Sequence, residues 1–502
     1  MDRRLGSGAA VAEQTISAPP VRTPARSRRR ARPARAKAPG RVLPWVALTV
    51  AVFAAATAFV VATNMRPGYD AFGWLVWGRQ VLHWNLNTDG APSWKPLTFL
   101  FTLPFALAGR GDIWLWMVTS VAGAFAGVVF AGRIAYRLTG PCPERRYAPW
   151  VAALFAGVGV LALDGYWQQI LIANADPLVV TACLAAIDAH FSKHPRLAFS
   201  MLVLASLGRP EVWPFALLYA LWAWRAVPSM RRFTAVGAVL IPALWFVIPA
   251  LTSKSWFEPG DLALHSVNPI NVIHGSKFSA IIDRFFSLYQ LPVWLAALCG
   301  VGIAAARRDR QTLGLVAAVC LWVALEIGLA LHGWSGATRY LFEPAAVTVV
   351  IAGSAVGRLL GFAPRRPWVL RWVGPVVVVA LFAALYPLVH DREHAAEPEF
   401  TQAHASGRQL DRLQAVIAKD GGAAKIRGCG GPTTLVGNQS MLAWALRMNV
   451  GEVGFKIGRG IDSGRPIVVF KPHDHGWRVH PLNIAPASRG RCDSLKTDSA
   501  FG

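Results

Sequence analysis

Charged and polar residues recur at the ends of apolar segments in this 502-residue chain, and their types suit reactions at a phosphate-linked group. A carboxylate set among aromatic residues can act as a base on a hydroxyl group. An arginine in a water-poor pocket can bind a phosphate through two parallel hydrogen bonds. The candidate residues are Asp70, Arg79, His83, Asp89 and Lys95 in one segment, Asp164, Gln168, Asn174 and Asp176 in a second, Arg209 and Glu211 in a third, and His332, Arg339, Tyr340 and Glu343 in a fourth.

Four tryptophans accompany the first set, in the segment Asn64–Leu97. Aromatic rings can stack on a sugar face and lie comfortably at the level of lipid headgroups. These residues together predict a site where a phosphate-linked, lipid-borne substrate reacts with an acceptor, and the tryptophans are expected to line its cleft. A structural role is the alternative for Asp176 and Glu211, as partners in ion pairs, while Asp89, followed by Gly90, is typical of a turn.

The composition indicates that a membrane positions these residues. The chain is 54% hydrophobic, has a mean hydropathy of +0.38 and is only 16% charged, whereas soluble proteins average about 25% charged residues. The net charge of +24 is segregated into a block at Arg22–Arg41 and short clusters between apolar runs. This pattern is typical of cytoplasmic loops rather than of nucleic-acid binding, so no nucleic-acid partner is predicted. Residues 1–41 lack large apolar side chains and are predicted to form a disordered, basic cytoplasmic arm.

Eleven apolar runs are predicted to form membrane-spanning helices of a multi-pass plasma-membrane protein. A cytoplasmic N-terminus places Lys or Arg in every cytoplasmic loop, as the positive-inside rule requires. It also places residues 391–502 outside the cell, after a transmembrane domain at 42–390 whose first outer loop is 64–112. The predicted spans are 42–63, 113–138, 148–163, 176–191, 196–208, 210–225, 233–251, 291–305, 312–331, 343–360 and 369–388.

Two further segments complete the predicted organisation. Lys95–Leu107 is apolar but too short to span, and is predicted to be a helix lying at the outer interface. The tail at 391–502 is predicted to be a small α/β domain, with an amphipathic helix at Gly407–Gly422 and a strand at Pro466–Phe470. Cys429 and Cys492 are its only cysteines and are predicted to form a disulfide outside the cell. No cofactor is predicted, and the question of a divalent metal stays open.

The order of these features resembles the GT-C superfamily of membrane glycosyltransferases, over roughly residues 42 to 360. A spanning helix is followed by "GYDAFGWLVWGRQ", then "WKPLTFLFTLPF", a long helix ending in basic residues, and "ANADPLVVTACLAA". The protein O-mannosyltransferase and aminoarabinose-transferase branches carry a similar acid and a His/Lys-Pro-Pro-Leu element. Here Leu97 replaces the second proline, and "LGRPEVWPFALLYALWAW" is not the Lys-Gly-containing stretch of those branches. The pair "SWKPL" and "RPEVWPF" is similar to actinobacterial membrane proteins.

The resemblance implies an inverting hexosyl- or pentosyltransferase with a polyprenyl-phosphate sugar donor, acting on the outer face of the bilayer. By position, Asp70 is then the catalytic base and Lys95 the basic residue at the start of the interfacial helix. Asp176 matches a polar position at the start of the fourth span, and Arg209 a basic residue near the donor phosphate. Arg79, Glu211, Arg339 and Tyr340 are further candidates for substrate binding. The acceptor is expected to be a cell-envelope glycan, a glycolipid or a protein.

A secondary transporter or flippase of a lipid-linked or anionic substrate is the alternative function. Transporters commonly show paired repeats and a site near the bilayer midplane. No matching halves are evident in this sequence, and its polar residues are predicted to meet at one face of the membrane.

Overall fold

The computed structural model describes residues 43–89, 93–257, 273, 275–362, 368–473, 476–484, 486 and 489–495. The predicted basic arm at 1–41 lies outside the described residues. The chain divides into two compact units, Met1–Leu48 and Thr49–Gly502. Of the first unit, only the beginning of the first helix is described.

The protein is mostly helical, and each of the eleven predicted spans corresponds to a helix or the start of one. Apolar runs of this kind form helices in a bilayer because every backbone hydrogen bond is then made within the segment. The helices before residue 308 are α1 (Leu43–Thr63), α2 (Tyr69–Leu82), α3 (Pro96–Phe105), α4 (Asp112–Thr139), α5 (Ala148–Leu161), α6 (Tyr166–Leu171), α7 (Asp176–Phe191), α8 (Pro195–Gly208), α9 (Trp213–Ala226), α10 (Arg231–Pro242), α11 (Ile248–Thr252), α12 (Lys277–Ser287) and α13 (Leu291–Arg307). Those that follow are α14 (Arg310–Leu331), α15 (Phe342–Gly361), α16 (Leu370–Lys419), α17 (Gly422–Cys429), α18 (Gln439–Leu446), α19 (Ile457–Asp462) and α20 (Arg489–Cys492).

Six helical segments among the described residues are long and apolar enough to cross a membrane. A seventh is added if α12 and α13, which meet at 96°, count as one broken span. The protein is therefore a multi-pass membrane protein, and the count of eleven spans stays a prediction. The predicted interfacial helix is α3, which continues through a 3₁₀ turn at Ala106–Gly111 into α4. Together, α3 and α4 form one apolar helical segment that is long enough to cross a membrane.

Helix α15 lies at the centre of the bundle and is buried along nearly all of its length. Small residues allow its neighbours to approach closely, as is usual between membrane helices. A Cβ atom on Gly353 would lie 2.8 Å from the backbone oxygen of Ala152 in α5. On another face, a Cβ on Gly300 of α13 would lie 2.9 Å from the oxygen of Ile351. Substitutions at either glycine would push the helices apart.

Basic residues gather at the end of the bundle where α4 and α15 finish. Arg133 and Arg137 of α4 each lie 3.3 Å from a carboxylate oxygen of Asp188. Arg358 of α15 pairs with Asp309 and donates to the backbone oxygen of Leu138 at 2.6 and 2.9 Å. The orientation of the chain in the membrane stays a prediction.

The tail begins within a continuous helix rather than after a linker. Helix α16 runs from the last apolar segment across the predicted domain boundary at residue 390. Beyond it, three short strands form a sheet of order β1 (Gly431–Thr433), β2 (Ile467–His473) and β3 (Gly476–Leu482). β1 pairs parallel to β2, with Gly431 opposite Ile467, and β2 pairs antiparallel to β3, with Ile467 opposite Leu482. Cys429 and Cys492 form a disulfide across this region.

Candidate functional site

Two helix ends carry deeply buried charged residues. Asp176 is the first residue of α7, where the positive end of the helix dipole favours a carboxylate. Arg209 follows the last residue of α8 with an extended backbone, as expected of a residue that precedes a proline. The break at Arg209–Pro210 turns the arginine side chain toward the start of α7. Both residues are essentially inaccessible to solvent.

Carboxylates surround the Arg209 guanidinium on several sides. Nη2 donates to Asp176 Oδ1 and to the backbone oxygen of Arg339. Nη1 lies 3.8 Å from Glu211 Oε1, and Nε lies 3.3 Å from Glu343 Oε1. Burial alone would lower the pKa of Arg209, but the carboxylates, Asp176 first, raise it above its usual range. We call Asp176, Arg209, Glu211 and Glu343 the buried charge cluster.

Negative charge exceeds positive charge inside this cluster. One guanidinium faces three carboxylates, and several of their oxygens have no hydrogen-bond partner among the described residues: Asp176 Oδ2, Glu211 Oε2 and both oxygens of Glu343. An arginine so enclosed has little capacity left for a phosphate group. The geometry therefore favours the structural alternative for Asp176 and Glu211, with Arg209 as the cation that holds them.

Glu326, which is not among the residues predicted from the sequence, lies close to this cluster. It lies in the apolar helix α14, is 1% exposed, and its Oε1 has no partner in the described part of the chain. It is within electrostatic range of Glu211, Arg209 and Glu343. The signal was present in the sequence, since "LWVALEIGLAL" contains a single acid within a predicted span, and such residues are functional candidates by default.

Half-buried polar residues lie on the more accessible side of the cluster. Asp70 is in the first turn of α2, and Lys95 caps the start of α3. Arg339 and Tyr340 are in a 3₁₀ turn before α15. Asp176 is within electrostatic range of both Lys95 and Arg339, and Arg339 is within range of Asp70. We call Asp70, Lys95, Arg339 and Tyr340 the rim.

Aromatic rings hold the cations of the rim in place. The Tyr340 ring lies between two arginines, with guanidinium carbons 4.6 Å (Arg209) and 5.5 Å (Arg339) from its centroid. The ammonium group of Lys95 lies 5.4 Å from the centroid of the Trp74 ring. Burial, and then the charge of adjacent Asp70, raise the pKa of Tyr69 to about 12, so this phenol stays protonated at neutral pH.

Most tryptophans of the first loop do not line an open cleft, contrary to the sequence expectation. Trp74, Trp77 and Trp94 are each 1% exposed. Their rings pack in the interior, with Trp77 and Trp94 centroids 5.5 Å apart. Trp84, in contrast, is 96% exposed. The loop is built around a tryptophan core, which positions α2 and α3 and with them Asp70 and Lys95.

Arg79 lies away from the rim. It is in the last turn of α2 and donates to the backbone oxygen of Trp444 in α18 at 3.2 Å. Asp89 forms an ion pair of 2.9 Å with the exposed Lys254. Of the residues that the structure describes, no group of three or more His, Cys, Asp or Glu side chains is arranged to hold a metal ion.

No protein-family model and no curated protein matches this sequence. Among solved structures, the chain matches ArnT from Cupriavidus metallidurans bound to undecaprenyl phosphate, with 14% identity and a TM-score of 0.48 over 87% of this chain and 94% of that one. It also matches the apo state of the same ArnT, with 14% identity and a TM-score of 0.46 over 86% and 94%.

Proposed function

We propose that this protein is a glycosyltransferase that moves a sugar from a polyprenyl-phosphate donor to a cell-envelope acceptor on the outer face of the membrane. Asp70 is the general base in this proposal. The acceptor is a glycan, a glycolipid or a protein.

The observation that carries the proposal is the convergence of the rim. Asp70, Lys95 and Arg339 come from three separate parts of the chain and lie within one electrostatic neighbourhood, beside the buried charge cluster. A half-buried carboxylate next to two cations is the minimum set for transfer from a phosphate leaving group to a hydroxyl. A structural scaffold has no need of this combination at a partly accessible position.

In the proposed reaction, the acceptor hydroxyl oxygen attacks the anomeric carbon of the donor sugar. Asp70 takes the hydroxyl proton, and the bond from the anomeric carbon to the phosphate oxygen breaks. Lys95 and Arg339 stabilise the polyprenyl phosphate that leaves, because charge accumulates on its oxygens in the transition state. The buried charge cluster acts behind them, since Arg209 positions the backbone of Arg339 and the ring of Tyr340.

The test compares wild-type protein with Asp70→Asn in nanodiscs. Each is supplied with a panel of radiolabelled polyprenyl-phosphate sugars and a cell-envelope extract. We expect one donor to be used by wild type, and a loss of about 10²- to 10⁴-fold in the variant, which is what a general base contributes. Donor binding is expected to stay unchanged.

Asp89→Asn is the matched control, because it makes the same change in the same loop at a residue that pairs with a surface lysine. Its transfer rate should stay close to that of wild type. Transfer that survives Asp70→Asn would leave the enzyme class standing and reject Asp70 as the base. If no donor binds or transfers, the glycosyltransferase proposal itself is rejected.

One observation favours the second candidate, a transporter or flippase. Glu326 and the buried charge cluster place four carboxylates around Arg209 in the apolar interior, and buried acids of this kind serve as proton relays in transporters. Proteoliposomes with an imposed pH gradient test this function. Substrate uptake driven by the gradient and abolished in Glu326→Gln would favour it, whereas the glycosyltransferase proposal expects no such uptake.

A further inference from the structure

A cavity of about 130 Å³ lies between the first loop and the tail, away from the rim. On a comparable measure, a single water molecule needs about 10–15 Å³, so the cavity has room for an anion together with water. Its walls come from α2, the 3₁₀ turn before α4, α16 and α18. The polar lining residues are Arg79, His83, Arg110, Gln414 and Arg447, and Trp444 lies beside them. We call it the basic cavity.

Positive charge dominates the basic cavity. Three arginines line it, and no Asp or Glu is among the described residues that do so. The side chains of Arg110 and Arg447 are exposed and form no ion pair within the described ranges, although Asp112 is within electrostatic range of Arg447. Asp112 is close but buried, and accepts from the Trp444 indole N–H at 3.3 and 3.4 Å.

The surrounding contacts hold these like charges together. Arg79 donates to the backbone oxygen of Trp444, whose ring packs 5.8 Å from that of Phe72 in α2. Burial first, and then the charges of Arg447 and Arg427, lower the pKa of Arg79 to about 10, against the opposing effect of Asp112. Such crowding of arginines is costly in the unliganded protein, and an anion with several acceptor oxygens would relieve it.

The cavity lies beside the start of the apolar helix α4. We expect this position to be near the level of the lipid headgroups. Large apolar side chains are exposed next to it, with Trp84 96% and Leu107 77% accessible. Exposed tryptophan with neighbouring arginines is the usual composition of a membrane interface.

We propose that the basic cavity binds a phosphate group, carried either by an anionic lipid headgroup or by a soluble phosphate compound. This site is separate from the rim. Arg79 follows Asp70 by nine residues on α2, a rotation of two and a half turns at 3.6 residues per turn, so the two side chains are on opposite faces of the helix. The inference does not depend on the proposed transfer reaction.

Equilibrium dialysis of the full-length protein in neutral detergent tests the proposal with two radiolabelled probes. One is inorganic pyrophosphate, and the other is a short-chain phosphatidic acid, with the matching diacylglycerol as the phosphate-free control. We expect saturable binding of at least one phosphate probe and none of diacylglycerol. In the double variant Arg110→Gln/Arg447→Gln, binding should weaken at least about tenfold, because two hydrogen bonds between charged groups are lost.

Arg459→Gln is the matched control, since Arg459 is an exposed tail arginine outside the cavity, and binding should be unaffected. The conservative variant Arg447→Lys keeps the charge but not the planar fork, so it should bind with intermediate strength. Binding of phosphatidic acid alone supports a lipid headgroup, and binding of pyrophosphate supports a soluble ligand. If neither probe binds wild type, or if a folded double variant binds as tightly as wild type, the proposal is overturned.

Discussion

The buried charge cluster and the basic cavity use arginine in opposite ways. Around Arg209, three carboxylates enclose a single guanidinium that is almost fully buried. In the basic cavity, three arginines face a space that no described carboxylate lines, and two of them are exposed. In the first arrangement the guanidinium is paired with carboxylates of the protein itself, whereas in our proposal the arginines of the second are paired with an anion from outside.

In our proposal, Arg209 acts as a positioning residue, because its guanidinium donates to the backbone oxygen of Arg339 and lies against the ring of Tyr340. Substitutions should therefore affect the two regions differently, chiefly stability in the cluster and chiefly ligand affinity in the cavity.

The largest effect on stability is expected from Arg209→Met. Removing the guanidinium takes away the cation that forms ion pairs with the buried Asp176, Glu211 and Glu343, and breaking a buried ion pair from one side costs about 3–5 kcal/mol. Thermal unfolding in detergent, followed by loss of monomer on gel filtration, should show a lower transition temperature or no folded protein. Arg196→Met is the control, because Arg196 is an exposed arginine of α8, the helix that ends just before Arg209. An unchanged transition temperature in Arg209→Met would contradict the positioning role.

A smaller loss of stability is expected from Gly407→Ala. This variant should also affect ligand binding in the basic cavity more than donor binding at the rim. A Cβ atom at position 407 of α16 would lie 2.3 Å from the backbone oxygen of Asn64. Gln414, seven residues further on, is on the same face of α16 and lines the basic cavity. Overpacking of this kind costs about 1–3 kcal/mol and should displace the wall of the cavity.

For Gly407→Ala we therefore expect weaker binding of the phosphate probes with little change in donor binding at the rim. Gly458→Ala is the control, since a Cβ at Gly458 would meet no atom within 4 Å. An equal loss of phosphate-probe binding in the basic cavity and of donor binding at the rim would show that these two sites are not independent.

The smallest effect on stability is expected from Arg447→Gln. Its side chain is exposed and makes no ion pair with a described acid, so the free energy of unfolding should change by less than about 0.5 kcal/mol. Partial relief of repulsion with Arg79 acts in the stabilising direction. Thermal unfolding without phosphate measures this. A loss of several kcal/mol would show that Arg447 is structural, and would contradict the contrast drawn with Arg209.

Much of the helical architecture could be predicted from the sequence, because long apolar runs have few structural alternatives in a membrane. The predicted spans 148–163 and 312–331, for example, correspond to α5 and α14, with ends within two residues. The same rule could not establish how many short helices cross the bilayer. It also could not show that α16 continues through residue 390, since a polar helical stretch and a linker look alike by hydropathy.

The site was only partly predictable, because sequence order does not specify which helix face a residue occupies. Asp70, Lys95 and Arg339 were expected together, and they lie in one electrostatic neighbourhood. Arg79 was grouped with them by its proximity to Asp70 in sequence, yet helical rotation places it beside the tail. Glu326 was overlooked because it lies inside an apolar run rather than at its end.

The unbroken helix α16 has a mechanical consequence. Its 50 residues correspond to about 75 Å measured along the helix at 1.5 Å per residue. Only Leu370–Pro387 is apolar enough to lie within the bilayer, so roughly 48 Å of the helix extends beyond it. The tail is thus attached to a helix whose first part lies in the membrane. A small tilt of the apolar segment would displace the other end of the helix by several ångströms. Bilayer thickness, through helix tilt, would then act on how the tail meets the first loop.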